Sequence, residues 1–238
     1  MAPAWISATR TVAIVPLVLL WSALIATFAI ISSVGDRDGS RVNAMQILFS
    51  RGVLFLSGVR LVVSGRERVP AGGMILMANH RSHFDVPALI AALPELQLRW
   101  VAKKELGRIP IFGWSMRAAG HVLVDRRNRA KAIESLVRAR HALARGRAMV
   151  VFPEGTRSLD ARLLPFKKGG FHLAAQTALP IVPVAVTGSE RILAKRTRVI
   201  RPGVIRVEVL EPVPTRSDSV PADLSDLVRA RLERSLAG

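Results

Sequence analysis

The chain opens with a run that shows no polar alternation: from Thr11 to Val34, 24 residues pass without a charged side chain. At about 1.5 Å of helical rise per residue, such a run is long enough to cross a hydrocarbon layer about 30 Å thick. A cleaved secretory leader is the competing reading. Its apolar region usually runs about 7 to 15 residues, however, and only Arg10 supplies positive charge ahead of this one. A polar connection, Gly35–Arg41, leads to a second apolar segment, Val42–Leu56, which is interrupted by Arg51. An arginine near the middle of a span costs about 2.5–3.5 kcal/mol on an insertion scale, so this segment is expected to lie along the interface. Residues 1–57 are therefore expected to form a membrane anchor and interfacial helix pair, and residues 58–238 a folded α/β domain.

From there the texture changes to short apolar runs that read as strands: Val59–Val63, Met74–Ala78, Arg99–Ala102, His121–Val124, Ala148–Phe152, Ile181–Val186 and Val204–Leu210. Between them, Val86–Ala92, Phe112–Ala119, Arg129–Ala144 and Lys168–Ala178 carry helical spacing of their apolar residues. This alternation predicts an α/β fold with helices on both faces of a sheet. A terminal helix is expected over Ala222–Leu236, with Asp223 and Asp226 early and Arg229, Arg231 and Arg234 late, which suits the helix dipole.

Composition narrows the partners. Lys and Arg total 35 against 17 Asp and Glu, a formal charge of +18, which favours phosphate groups, acidic lipid or nucleic acid. Aromatic residues make up 5% and tyrosine is absent, so stacking platforms for single-stranded nucleic acid are scarce, and nucleic acid is not an expected partner. With no cysteine, disulfides, thiolate metal sites and an enzyme-bound thioester are excluded. Half of the residues are hydrophobic and the mean hydropathy is +0.31, between a soluble domain and a many-helix membrane protein. The long basic remainder after the anchor favours the cytoplasmic side of a membrane.

Candidate chemistry begins where the run Met74–Ala78 ends, in Asn79-His80-Arg81-Ser82-His83-Phe84-Asp85. A histidine can take a proton from a hydroxyl near neutral pH, and a carboxylate on its other nitrogen fixes the tautomer and stabilises the imidazolium. Alone, the pair His80 and Asp85 reads more readily as a polar turn capped by Ser82 or Asp85, and needs a second motif to support it. The second candidate is Phe152-Pro153-Glu154-Gly155-Thr156-Arg157-Ser158, which follows a fully apolar strand. Gly155 frees the backbone to approach an anion, Thr156 and Ser158 offer hydroxyls, and Arg157 can grip a phosphate bidentately. Strand ends of open α/β sheets are where ligands sit.

These blocks, in this order, resemble the 1-acylglycerol-3-phosphate (lysophosphatidate) acyltransferases of the glycerolipid acyltransferase superfamily. His80 to Asp85 resembles the family's first motif. Lys104-Glu105-Leu106 through Ile109-Pro110-Ile111-Phe112-Gly113, with Val122-Leu123-Val124-Asp125-Arg126, resembles the second. Phe152 to Ser158 resembles the third at every position, and Leu179-Pro180-Ile181-Val182-Pro183-Val184 the fourth. The resemblance covers roughly Val59 to Glu211. It implies a central mixed sheet flanked by helices, with an N-terminal membrane-embedded helix pair. It also implies transfer of a fatty acyl group from acyl-CoA or acyl carrier protein to the free hydroxyl of 1-acylglycerol 3-phosphate, giving phosphatidate. In that scheme His80 is the general base and Asp85 its orienting partner, with Lys104, Arg126 and Arg157 on the acceptor phosphate and Glu154, Gly155 and Thr156 lining the acceptor pocket. No metal or cofactor is required. Glycerol 3-phosphate or another lysolipid, such as a lyso-aminolipid, is the alternative acceptor, because a His-Asp motif specifies acyl transfer rather than the acceptor. A non-catalytic basic membrane adaptor is the reading from a different class.

Other polar residues have two readings each. His83 is a rival base beside His80, whereas His121, His141 and His172 read as structural. Lys167 and Lys168 could meet a head-group or carrier phosphate, or be solvated surface charge. Arg191, Lys195, Arg196, Arg198 and Arg201 could hold the protein against anionic lipid, at about 1 kcal/mol for each basic group near such a surface.

Overall fold

The computed structural model describes residues 4–124, 147–159 and 162–237. The expected helix Arg129–Ala144, with His141 on it, lies outside the described residues, as does Arg126.

Two helices come first, α1 (Ala4–Ser33) and α2 (Ser40–Leu56). The turn between them is built by its acidic residues. Asp36 Oδ2 accepts the Val42 N–H at 2.9 Å and Asp38 Oδ1 accepts that of Ser40 at 3.1 Å, satisfying donors that α2 leaves open at its start. The helices pack closely because Gly52 has no side chain. A β-carbon there would stand 2.2 Å from Trp21 Nε1, which instead lies over α2 and donates to Phe49 O at 3.2 Å. Arg51, expected to disfavour a span, is exposed on a continuous α2.

Among the described residues the strands are β1 (Val59–Ser64), β2 (Met74–Ala78), β3 (Leu98–Lys103), β4 (Val122–Val124), β5 (Ala148–Val151), β6 (Ile181–Thr187) and β7 (Gly203–Val209). They form one seven-stranded sheet in the order β1-β7-β6-β2-β5-β3-β4. Every pairing is parallel except β6 with β7, so the sheet is mixed. Among the described residues the remaining α-helices are α3 (Asp85–Ala92), α4 (Phe112–Ala118), α5 (Gly169–Thr177), α6 (Ser189–Ile192) and α7 (Pro221–Ala237).

Side chains of β2 are buried throughout, and their period of two divides them between two cores. Met74, Leu76 and Ala78 join the layer that holds Leu54 of α2 and Leu89 of α3, while Ile75 and Met77 join Phe171 of α5 and Val228 of α7. The helix pair thus packs on one face of the sheet, and the C-terminal helix on the other.

Candidate active site

Strand pairing brings the two candidate motifs together. β5 lies beside β2, with Met74 opposite Ala148 and Met77 opposite Val151. Continuing that register past the strand ends carries His80 level with Glu154. Both motif loops therefore leave the same end of neighbouring buried strands, separated by only one interstrand spacing.

The loop after β2 is organised around one carboxylate oxygen. Asp85 opens α3 and is fully buried; its Oδ2 accepts the backbone N–H groups of Arg81 at 2.8 Å and Ser82 at 2.9 Å. The same oxygen lies 2.8 Å from His80 Nδ1. Because this oxygen acts as the acceptor for both backbone donors, the tautomer that completes the set carries its proton on Nδ1 and leaves the lone pair on Nε2. The ring is held from its flat side as well. Phe152 stacks on it with centroids 3.9 Å apart and planes within 11°, and Trp100 backs Phe152 at 5.7 Å. Upstream, Asn79 locks the strand end to β6 by donating to Val186 O at 2.8 Å and accepting from Val186 N at 2.7 Å.

Glu154 faces inward. It is 2% exposed, with Oε1 accepting the His80 N–H at 2.8 Å and Oε2 the Leu164 N–H at 2.9 Å. Burial raises its pKa above the ordinary glutamate value, against the two backbone donors, which lower it. Together with the bond from Ser158 N to His80 O at 2.8 Å, this carboxylate stitches the third motif to the first. Its side chain is a clamp beneath His80 and is not among the residues lining the cavity.

A cavity of about 730 Å³ opens at this point. His80, His83, Gly155, Thr156 and Arg157 line it together with apolar side chains of both N-terminal helices, among them Val18, Ile25, Val42 and Phe49. Trp100, Ala119 and His121 also contribute to its wall. His83 is held below the ordinary histidine pKa by burial first, then by its charged neighbours Arg157 and His80. His121 is pushed down to about 3 by burial and by Arg99, and its Nδ1 accepts the Trp100 N–H at 3.3 Å. Lys104, by contrast, is exposed on the 3₁₀ turn Lys104–Arg108 and is not a lining residue.

Of the residues singled out from the sequence, His80, Asp85, Gly155, Thr156 and Arg157 are gathered at one strand end. Phe152, Trp100 and Asn79 were not singled out as functional. Phe152 stands at the head of the third motif and Asn79 directly precedes His80, which is the only signal either one gave. Nothing in the spacing of Trp100 marks it.

The family described as Acyltransferase matches residues 60–187. Among curated relatives, the 1-acyl-sn-glycerol-3-phosphate acyltransferase of Limnanthes alba is 39% identical over 164 residues, covering 68% of this chain and 58% of that one. The human 1-acyl-sn-glycerol-3-phosphate acyltransferase alpha is 33% identical over 215 residues, 88% of this chain and 75% of that one. This chain spans a little over half the length of the plant and yeast relatives that it matches. The crystal structure of the 1-acyl-sn-glycerophosphate acyltransferase from Thermotoga maritima has the same fold, with a TM-score of 0.84 at 26% identity over 97% of this chain and 95% of that one. A family match across more than half of the sequence, joined to a relative that aligns along three quarters of its own length, places this chain in the Acyltransferase family.

Proposed function

We propose that this chain transfers a fatty acyl group from an acyl thioester, acyl-CoA or acyl carrier protein, to the free hydroxyl of 1-acylglycerol 3-phosphate, producing phosphatidate. One observation carries the reading: His80, bonded to Asp85, and Arg157 line a single cavity whose remaining lining is mostly apolar. Its volume of about 730 Å³ falls within the usual range for ligand sites, about 300–1,000 Å³. A base, a phosphate grip and an apolar lining are the three things that a phosphate-bearing lysolipid and an acyl chain need.

The acceptor hydroxyl attacks the thioester carbonyl while His80 Nε2 removes its proton, and Asp85 stabilises the imidazolium through Nδ1. Collapse of the tetrahedral oxyanion expels the thiolate, which takes the proton back from the ring; no bond to the protein forms. A thiol of pKa about 8.5 leaves without a strong acid. General-base help contributes roughly 10²–10⁴ in rate, and the remaining acceleration comes from positioning and from donors at the oxyanion. Neither a metal nor a cofactor is needed to balance these steps.

The reading extends to the membrane. Residues Thr9–Ser33 are long and apolar enough to cross a bilayer, and Leu17, Leu20, Leu24, Phe28 and Ile31 form an exposed stripe along α1. Yet α1 is fastened to the folded domain at both ends. Thr11 Oγ1 accepts the Ile200 N–H at 3.0 Å near its start, while past its end Asp38 O accepts from Gln97 Nε2 at 3.0 Å and Arg147 Nη2 at 3.1 Å. A helix tied twice to one globular body lies along one leaflet, here the cytoplasmic one, with its outer stripe in lipid. Purified protein supplied with labelled acyl-CoA and lysophosphatidate is expected to yield labelled phosphatidate. Absence of thioester consumption that depends on the lysolipid would overturn the proposal, and a panel with glycerol 3-phosphate and a lyso-aminolipid fixes the acceptor.

A further inference from the structure

Gly155 sits in the left-handed region at φ +69°, and a β-carbon placed on it would stand 2.8 Å from Cε, 2.9 Å from Cδ and 3.1 Å from Nζ of Lys167. The lysine side chain, exposed and outside the cavity lining, therefore lies across the cavity-lining glycine of the third motif, in the space that any larger residue at 155 would claim. Its backbone is pinned to the same turn, since the Lys167 N–H donates to Pro153 O at 2.8 Å. The neighbouring carboxylate, Glu154, turns its two oxygens onto the backbone N–H groups of His80 and Leu164. Two residues along, Arg157 lines the cavity, close enough to His83 for its charge to act on that ring.

A phosphate monoester carries close to two negative charges at neutral pH, more than one guanidinium balances, and a lysine serves such a group as a compact point charge. We propose that Lys167 is a second ligand of the acceptor phosphate, beside Arg157, meeting it across Gly155. This inference rests on the acyl-transfer reading for the identity of the ligand. It also gives Gly155 a purpose beyond its backbone conformation: the absent side chain is what lets the ammonium group reach the loop.

The test uses the full-length protein in detergent micelles with 1-oleoyl-lysophosphatidate, acyl-CoA and, as an acceptor without phosphate, 1-oleoylglycerol. Lys167→Ala is expected to raise the KM for lysophosphatidate and weaken its directly measured binding about tenfold or more, the loss of one charge-assisted hydrogen bond. The KM for acyl-CoA and the kcat should stay within about twofold, and Lys167→Arg should recover most of the binding. Gly155→Ala should weaken lysophosphatidate binding as well, by displacing the ammonium group. Unchanged binding in Lys167→Ala overturns the inference. So does a rise confined to the KM for acyl-CoA, which would assign the lysine to the donor's phosphates, or an equal loss with 1-oleoylglycerol that arginine does not rescue. Wild-type protein that binds lysophosphatidate but forms no phosphatidate overturns the activity instead, and the binding arm still decides the role of Lys167.

Discussion

Replacing Asp85 with asparagine separates the charge at that position from its shape. The three groups on Oδ2, from His80, Arg81 and Ser82, can donate to an amide oxygen in the same place, so the loop geometry survives. The amide NH₂ then takes the site of Oδ1, which is buried without a hydrogen-bond partner, and an unsatisfied buried group costs about 1–3 kcal/mol of stability. Catalysis loses something different, the ionic hydrogen bond to an imidazolium. Such bonds are worth about 1.5–3 kcal/mol, and at about 1.36 kcal/mol per decade the rate should fall by roughly 10- to 150-fold. His80→Ala removes the base and should cost roughly 10²–10⁴-fold. The decisive measurement is the double variant, assayed as phosphatidate formed from labelled acyl-CoA in detergent micelles. If Asp85 acts only through His80, His80→Ala with Asp85→Asn is no slower than His80→Ala alone. Additive losses, or full activity in Asp85→Asn, would refute the arrangement.

Three other outcomes are expected. Glu154→Gln keeps one acceptor for the N–H groups of His80 and Leu164 but turns an NH₂ against the other, at a cost of about 1–3 kcal/mol; thermal unfolding should show a Tm lowered by about 2–12 °C, together with reduced kcat. His121 has a folded pKa pushed down to about 3, so below its unfolded value near 6.5 only the unfolded chain gains the proton. Its contribution to stability is whole above that pH and is lost as pH falls towards 3. His121→Asn, whose Oδ1 can still accept the Trp100 N–H, should flatten the pH dependence of stability in that window by up to about 1.4 kcal/mol per unit. Because the chain has no cysteine, Thr9→Cys and Arg37→Cys each give a single labelling site, one at either end of the apolar run. In sealed vesicles both should react with an impermeant maleimide from the same side, whereas opposite sidedness would make α1 a span.

The placement of these groups shows how far local pattern reaches. His80 and Asp85 stand five positions apart and meet through one turn, so short-range spacing suggested the pair, and the third motif was needed to support it. Arg157 was legible because an apolar strand delivered it together with Gly155 and Thr156. Glu154 was legible as a motif residue and not as a clamp, since the groups it accepts from, His80 and Leu164, lie 74 and 10 positions away. Lys167 carried no sign of its reach across Gly155. The apolar run of α1 announced a membrane-seeking segment, while the bonds of Thr11 and Asp38 that lay it against the domain join residues far apart in the chain.

Periodicity is a property of neighbouring residues, so by itself the sequence determined most of the strands and helices among the described residues, and which side chains can do acid–base or anion chemistry. Which strands become neighbours is decided by long-range hydrogen bonding and the burial of facing side chains. Only the tertiary structure set β5 between β2 and β3, which brings the first and third motifs level. Folding α1 and α2 over the same face then turned a row of polar strand ends and a layer of apolar helices into one cavity.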